Sequence, residues 1–260
     1  MSLNIGDALS TGVDKLTTAA GIQLAVVYIA LQFLTALGTN SAVAAINPPT
    51  GTSGMQAAAL SLPIGVAGGA ALATLGGILN VALTIVVLRT VVHDAAELSS
   101  IPSGVADDML KTWVFLFIAL IVQGIAIGLG FIALIIPGLF LLVSLIFTQV
   151  FVAVEDEGPF EALSSSWSMA KGNRFPLFGL GVVLFVISLL VSLPATIVTI
   201  LSPIVGTVLN YIVTGFVSIF SLSVLVAAYQ QLSEPSPAAT TKTDDDSVER
   251  LDDDSGFDYA

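Results

Sequence analysis

The 260-residue chain contains no cysteine, a single histidine (His93), and only seven lysines and arginines. Without cysteine there is no disulfide, no thiolate nucleophile and no thiolate-bound metal. One histidine excludes any metal or proton-relay site that requires two. Nineteen acids against seven bases make a nucleic-acid partner unfavourable, because phosphate binding needs a cationic face. Charge of either sign is scarce, at 10% of residues, whereas a soluble domain carries about a quarter.

What fills the chain instead is apolar. Hydrophobic residues make up 55% of it, and the mean hydropathy is +0.98. Six segments are long enough to cross about 30 Å of hydrocarbon: 18–37, 65–88, 112–131, 136–154, 175–198 and 204–228. Each must be helical, since lipid offers the backbone no hydrogen-bond partner. The third and fourth form one apolar run punctuated by Gly130, Pro137 and Gly138, and a single helix of that length would cross a bilayer twice. A tight hairpin there gives an all-α, polytopic bundle of six spans in three hairpins over residues 1–232. Residues 233–260 form a Pro-, Ser- and Asp-rich acidic tail, expected to be disordered because it has little to bury.

The bases set the orientation. All seven (Lys15, Arg89, Lys111, Lys171, Arg174, Lys242 and Arg250) lie in segments that alternate to one side of the six spans. The connections on the other side, at 38–64, 133–135 and 194–203, hold none. The positive-inside rule therefore predicts both termini in the cytoplasm and a multi-pass protein of the plasma membrane. "SAVAAINPP" after the first span resembles a cleavage site, but the region before it carries Asp7, Asp14 and only Lys15. It lacks the basic start of a signal peptide, so the first span is expected to stay. The acids crowd the same side as the bases, nine of them after Ser233. Such a surface repels itself in dilute buffer and is screened at high salt, which suits a salt-loving host.

Short amphipathic stretches precede the spans. "DALS" at Asp7–Ser10 and "EALS" at Glu161–Ser164 each lead into a hairpin, and "PSGVADDMLKTW" before the third span reads as a degenerate third copy. In the second copy Phe160, Leu163 and Trp167 share one helical face and Lys171 closes the end, the pattern of an interfacial helix whose rings sit in the headgroup layer. Glu155, Asp156, Glu157 and Glu161 form the densest acid group outside the tail. Carboxylates so close could hold a hard cation or do acid–base work. The plainer reading, which we adopt, is a helix start: Pro159 in the first turn and Glu161 near the positive end of the helix. His93–Asp94 point about 100° apart on a helix and do not make a catalytic pair.

No span contains an ionisable residue at its centre. Its polar side chains there are Gln23, Gln32, Asn80, Gln123, Gln149 and Asn210, read as interhelical contacts or as the lining of a path for a neutral solute. Gly65, Gly69 and Gly77, with Gly124 and Gly128, recur at four-residue multiples and are read as helix-packing faces. No cofactor and no catalytic or metal-ligating set is implied. The expected partners are the lipid bilayer and either a cytoplasmic protein or a second copy, in a scaffold or accessory role rather than an enzymatic one. A transporter or channel for a neutral or lipid-like solute is the alternative.

The stretch "IIPGLFLLVSLIFTQVFVAVEDEGPFEALSSSWSMAKGNRFPLFGL", Ile135–Leu180, resembles a pattern in uncharacterised six-span membrane proteins, closest to stand-alone haloarchaeal ones. It is also similar to the membrane domain attached to some bacterial glycerophosphodiester phosphodiesterases. The resemblance implies a fold and not a reaction, since the chain has no counterpart of the catalytic domain.

Overall fold

A computed structural model describes residues 3–46, 60–102 and 104–233. The tail beyond Ser233 lies outside them. The described residues are helical, and no strand is found among them. The elements are α1 (Ile5–Thr17), α2 (Ala19–Ile46), α3 (Gly65–Val91), a 3₁₀ turn (Ala95–Glu97), α4 (Met109–Ala133), α5 (Ile135–Ser144), α6 (Thr148–Val154), α7 (Pro159–Ala170), α8 (Arg174–Leu201) and α9 (Pro203–Ser233). Six of the helical runs, α2, α3, α4, α5 with α6, α8 and α9, are long and apolar enough to span a membrane. The molecule is thus a multi-pass helical bundle.

The spans form three antiparallel hairpins arranged in a ring: α2–α3, α4–α5/α6 and α8–α9, with α9 closing back onto α2. The α2–α3 pair is the tightest. A Cβ on Gly38 would run into the Ala73 backbone and lie 2.8 Å from the Gly69 carbonyl, and one on Gly69 would meet the backbone of Ala42. Backbones this close stabilise the pair by dispersion rather than by a hydrophobic drive that lipid cannot supply. That contact also carries α2 through to Ile46, nine residues beyond the hydropathy boundary at Leu37.

The α4–α5 turn differs from the expected Gly–Pro hairpin. Helix α4 runs through Gly130 to Ala133, and Leu134 alone, in extended conformation, turns the chain. Pro137 lies within the first turn of α5, where its missing N–H costs nothing. Gly130 and Gly138 face each other across the hairpin, 3.0 Å from a Cβ built on Gly130 to the Gly138 Cα. The same register continues through Gln123 beside Leu145 to Thr112 beside Asp156. Similarly, Pro194 does not end the fifth span. α8 continues to Leu201, and Ser202 alone joins it to α9.

Burial is uneven along the membrane normal. The core runs through Leu83–Val91, Val143–Ala153 and Ile219–Tyr229, all toward the end of the bundle that carries the charges. At the opposite end large apolar side chains face outward, with Ile132, Ile200 and Leu201 each at least 80% exposed. Helix α8 buries only Leu177, Leu180 and Ala195. Contact between hairpins is concentrated at the charged end, whereas the close contacts at the other end, Gly38 with Ala73 and Gly130 with Gly138, lie within single hairpins.

Candidate functional site

The amphipathic helices α1 and α7 are the first components of the charged end. Both stand against the last turns of a span. The Asn4 N–H donates to Gln231 Oε1 (2.9 Å) and the Gln231 amide returns to the Asn4 carbonyl (3.3 Å), while Gly12 abuts Val224 and Phe220. Helix α1 therefore runs antiparallel along the end of α9. Helix α7 folds back along α6 in the same way, with Ser165 donating to Glu157 (3.0 Å) and Ser166 reaching Ser144 and Phe147. The alanines of "DALS" and "EALS", Ala8 and Ala162, are both fully buried at these contacts. The third stretch forms turns followed directly by α4, because Gly104 and Asp108 take left-handed backbone angles that no helix tolerates.

Phe160, Leu163, Trp167 and Lys171 divide differently from the wheel projection. The face of α7 that packs inward is the small one, Ala162, Ser166 and Ala170. Phe160 and Lys171 are exposed, Trp167 is at the surface and Leu163 is half-buried. Trp167 has a specific role there. With Phe140 it encloses the Arg174 guanidinium, whose carbon lies 4.9 Å from the Trp167 ring and 4.4 Å from the Phe140 ring. Arg174 Nε donates to Ser144 Oγ (3.1 Å), so the first residue of α8 is pinned to the end of α5.

Span four breaks between Ser144 and Thr148, a feature with no Gly or Pro to announce it. The gap is satisfied from three sides. The Phe147 N–H donates to Ser166 Oγ (3.1 Å), Ser166 donates to the Ser144 carbonyl (3.1 Å), and Gln123 Nε2 and Thr148 Oγ1 both donate to the Leu145 carbonyl (3.0 and 2.8 Å). Ser166 is fully buried and thus replaces the helix hydrogen bonds that the break removes.

The acid group Glu155–Glu157 does not converge. Glu155 accepts from the Tyr229 hydroxyl of α9 (2.7 Å), Asp156 pairs with Arg89 of α3 (2.7 Å), and Glu157 accepts from Ser165 of α7. Glu161 is exposed on α7. Three successive carboxylates tie one chain reversal to three different elements, an arrangement that holds helices together rather than enclosing a cation.

Arg89 is the centre of this end, and its bonding was not readable from its position near a span terminus. Its Nε donates to the Ala153 carbonyl (2.7 Å), Nη1 to the Asp107 and Val105 carbonyls (2.6 and 3.2 Å), and Nη2 to Thr112 Oγ1 and Asp156 Oδ1 (3.0 and 2.7 Å). All five donors of the guanidinium fork are used, across α3, α4, α6 and the turn before α4. Asp156 sits at φ 53°, a left-handed angle held by this pair. A cleft of about 430 Å³ lies alongside, lined by Arg89, His93, Asp107 and Asp156. It offers no free guanidinium to an anion. His93 Nδ1 donates to the Arg89 and Thr90 carbonyls and so closes the end of α3.

Lys15 makes the second cationic cap. It is 3% exposed, and its ammonium donates to the Val91 carbonyl (2.6 Å) and to Gln230 Oε1 (3.1 Å), while Gln230 Nε2 donates to the Val92 carbonyl (2.7 Å). Burial pushes the Lys15 pKa below its ordinary value, and Asp94 nearby opposes that shift. The C-terminal end of α3, where carbonyls lack helical partners and the dipole is negative, is thus capped by α1 and α9 together.

The family described as a domain of unknown function, DUF7847, matches residues 3–232. The chain belongs to this family. Within the DUF7847 region lie α1 through nearly all of α9, so both amphipathic helices and the charged-end network are part of it. No curated protein and no solved structure gives a match.

The six amide side chains of the DUF7847 spans are dispersed. Gln123 alone of the six amides bonds to another span segment. Gln23 is exposed, Gln32, Asn80 and Gln149 are half-buried, and Asn210 accepts from Thr214 of its own helix (3.4 Å). Of the small-residue positions, Gly69 packs against α2, Gly65 starts α3 at φ +69°, and a Cβ at Gly77, Gly124 or Gly128 would meet nothing within 4 Å. Four-residue spacing identified a glycine face on α4 but not its neighbour, and that face is open.

Proposed function

We propose that the protein is a non-enzymatic scaffold or accessory subunit of the plasma membrane, with both termini in the cytoplasm. The observation that carries this reading is the charged end, where the ionic and hydrogen-bonding side chains are spent on joining helices. Arg89 and Lys15 act as caps, and the carboxylates of Glu155–Glu157 diverge to three partners. A rigid platform of this kind leaves the outer faces of α1 and α7 and the acidic tail to meet a cytoplasmic protein. The restriction of every lysine and arginine to the same side supports the orientation. The acid excess supports a high-salt, haloarchaeal host.

Purification from native membranes at their own salt concentration should recover a stoichiometric partner, lost when residues 233–260 are deleted. Recovery of the chain alone in both forms overturns the proposal. Orientation has its own test in this cysteine-free chain. A cysteine at Asn47 should react with an impermeant reagent outside the cell and one at Ser247 should not.

A second reading, passage of a neutral or lipid-like solute, is favoured by one observation: Asn210 lines two adjoining clefts between α8 and α9. Flux into proteoliposomes that is lost in Asn210→Leu but retained in Asn80→Leu would favour it.

A further inference from the structure

The α8–α9 hairpin carries a polar seam through otherwise apolar helices. On α8 the seam is Ser188, Ser192, Thr196 and Thr199, and on α9 it is Thr207, Asn210 and Thr214. Spacings of three and four residues keep each set on one side of its helix, and the two sets face each other. Two clefts lie along the seam, one of about 650 Å³ lined by Thr196, Thr199, Thr207, Asn210 and Tyr211, and one of about 480 Å³ lined by Ser188, Ser192, Asn210 and Thr214. They adjoin at Asn210.

Hydrogen bonding decides what such a seam can hold. The hydroxyl hydrogens of Ser188, Ser192, Thr196, Thr199 and Thr207 are all donated to carbonyls of their own helices, at 2.7–3.0 Å. Their oxygens are left as acceptors. The Asn210 amide and the Tyr211 hydroxyl donate to no group among the described residues. The clefts thus offer many acceptors, two donors and no charge, because no Asp, Glu, Lys or Arg lines either of them. An ion would lose its hydration there without a counter-charge. A partner helix would need a long continuous channel, whereas these volumes match small-molecule sites.

We propose that the α8–α9 cleft binds an uncharged polyhydroxyl group. Its hydroxyls donate to the seam oxygens and accept from Asn210 and Tyr211. The group could belong to a free polyol or to the headgroup of a neutral lipid, whose acyl chains would lie against the exposed Ile200 that lines the larger cleft. Binding does not require that anything cross the membrane, and its failure would leave the scaffold reading intact.

The test uses the full chain in lipid nanodiscs, with two probes. In one arm a diazirine-bearing monoglycosyl diacylglycerol is photo-crosslinked, with phosphatidic acid as the charged competitor. In the other, glycerol is followed by saturation-transfer NMR. The expected result is a signal in one arm. Glycosyl diacylglycerol adducts mapping between residues 188 and 214, and undiminished by phosphatidic acid, assign the lipid source, and a glycerol signal alone assigns the free polyol. Isosteric Thr196→Val, Thr199→Val and Thr207→Val should each weaken binding ~3–10-fold, and Asn210→Leu about tenfold or more, as expected for one lost hydrogen bond each. Gln23→Leu, on a different helix, should leave it unchanged. Silence in both arms, adducts mapping elsewhere, or binding indifferent to the four cleft variants overturns the proposal. The adduct map comes from the unaltered chain and so does not depend on any variant folding.

Discussion

Replacing Arg89 by alanine is the sharpest perturbation of the charged end. The side chain is 13% exposed and makes five hydrogen bonds, three of them to backbone carbonyls. Each bond to a neutral acceptor stabilises by about 1 kcal/mol net, and the carbonyls left behind at the core edge add a desolvation cost. The Asp156 side chain is 56% exposed, so the ion pair itself is screened by solvent and contributes about 0–1 kcal/mol. Arg89→Ala should therefore cost about 3–5 kcal/mol and Asp156→Asn about 1 kcal/mol or less. Arg89→Lys, with three donors on a point charge in place of a five-donor fork, should recover less than half of the loss. Thermal or denaturant unfolding of the purified protein in detergent, followed by circular dichroism, gives these differences directly. Repeating the series between about 0.1 and 1 M salt separates the two contributions, since only the exposed ion pair is screened. If Asp156→Asn is as damaging as Arg89→Ala, or the Arg89→Ala loss vanishes in salt, the guanidinium acts through charge and the carbonyl-capping argument fails.

Three further outcomes follow from the same structure. Lys15 has a folded pKa below its unfolded value, so between those two values the unfolded chain binds more protons and stability rises with pH. The unfolding midpoint of the native chain minus that of Lys15→Met should climb from neutral pH toward about 10.5, the ordinary lysine value, and a flat or falling difference contradicts the burial argument. Ser166→Ala, at the break in span four, should cost about 1–3 kcal/mol in the same unfolding assay by leaving the Phe147 N–H unpaired in the core. Gly38→Val should abolish the α2–α3 contact and yield little folded protein, while Gly77→Ala and Gly124→Ala, which meet open space, should be neutral or stabilise by about 0.5–1 kcal/mol, measured by yield and melting temperature.

The six-span layout was legible because hydrocarbon length and backbone satisfaction leave few alternatives for a run of apolar residues. The ends of the spans were not. α2 reaches Ile46 because Gly38, Gly69 and Ala73 let two backbones meet, a pairing that hydropathy does not register. The break at Leu145–Phe147 was invisible for a related reason. Its residues are apolar, and the hydroxyl that makes it possible, Ser166, lies on a different helix. The two "ALS" stretches did mark equivalent helices, since the same alanine is buried in each. The acids of Glu155–Glu157 could be read as a cluster but not as three separate ties, because adjacency in sequence says nothing of where alternate side chains find partners. Arg89 showed the same limit: its charge was useful for orientation, whereas its function depends on carbonyls contributed by two other segments, α6 and the turn before α4.

The clasp between Asn4 and Gln231 joins positions 227 residues apart. Helix α1 precedes α9 in the chain, so its partner is made after every span between them. Until the end of α9 has been made, Gly12 has no Val224 to rest against and Lys15 has no Gln230, so α1 is left with an unmated face at the membrane surface. Closure of the ring through α1 and α9 is therefore late in synthesis, possible only once the spans between them exist.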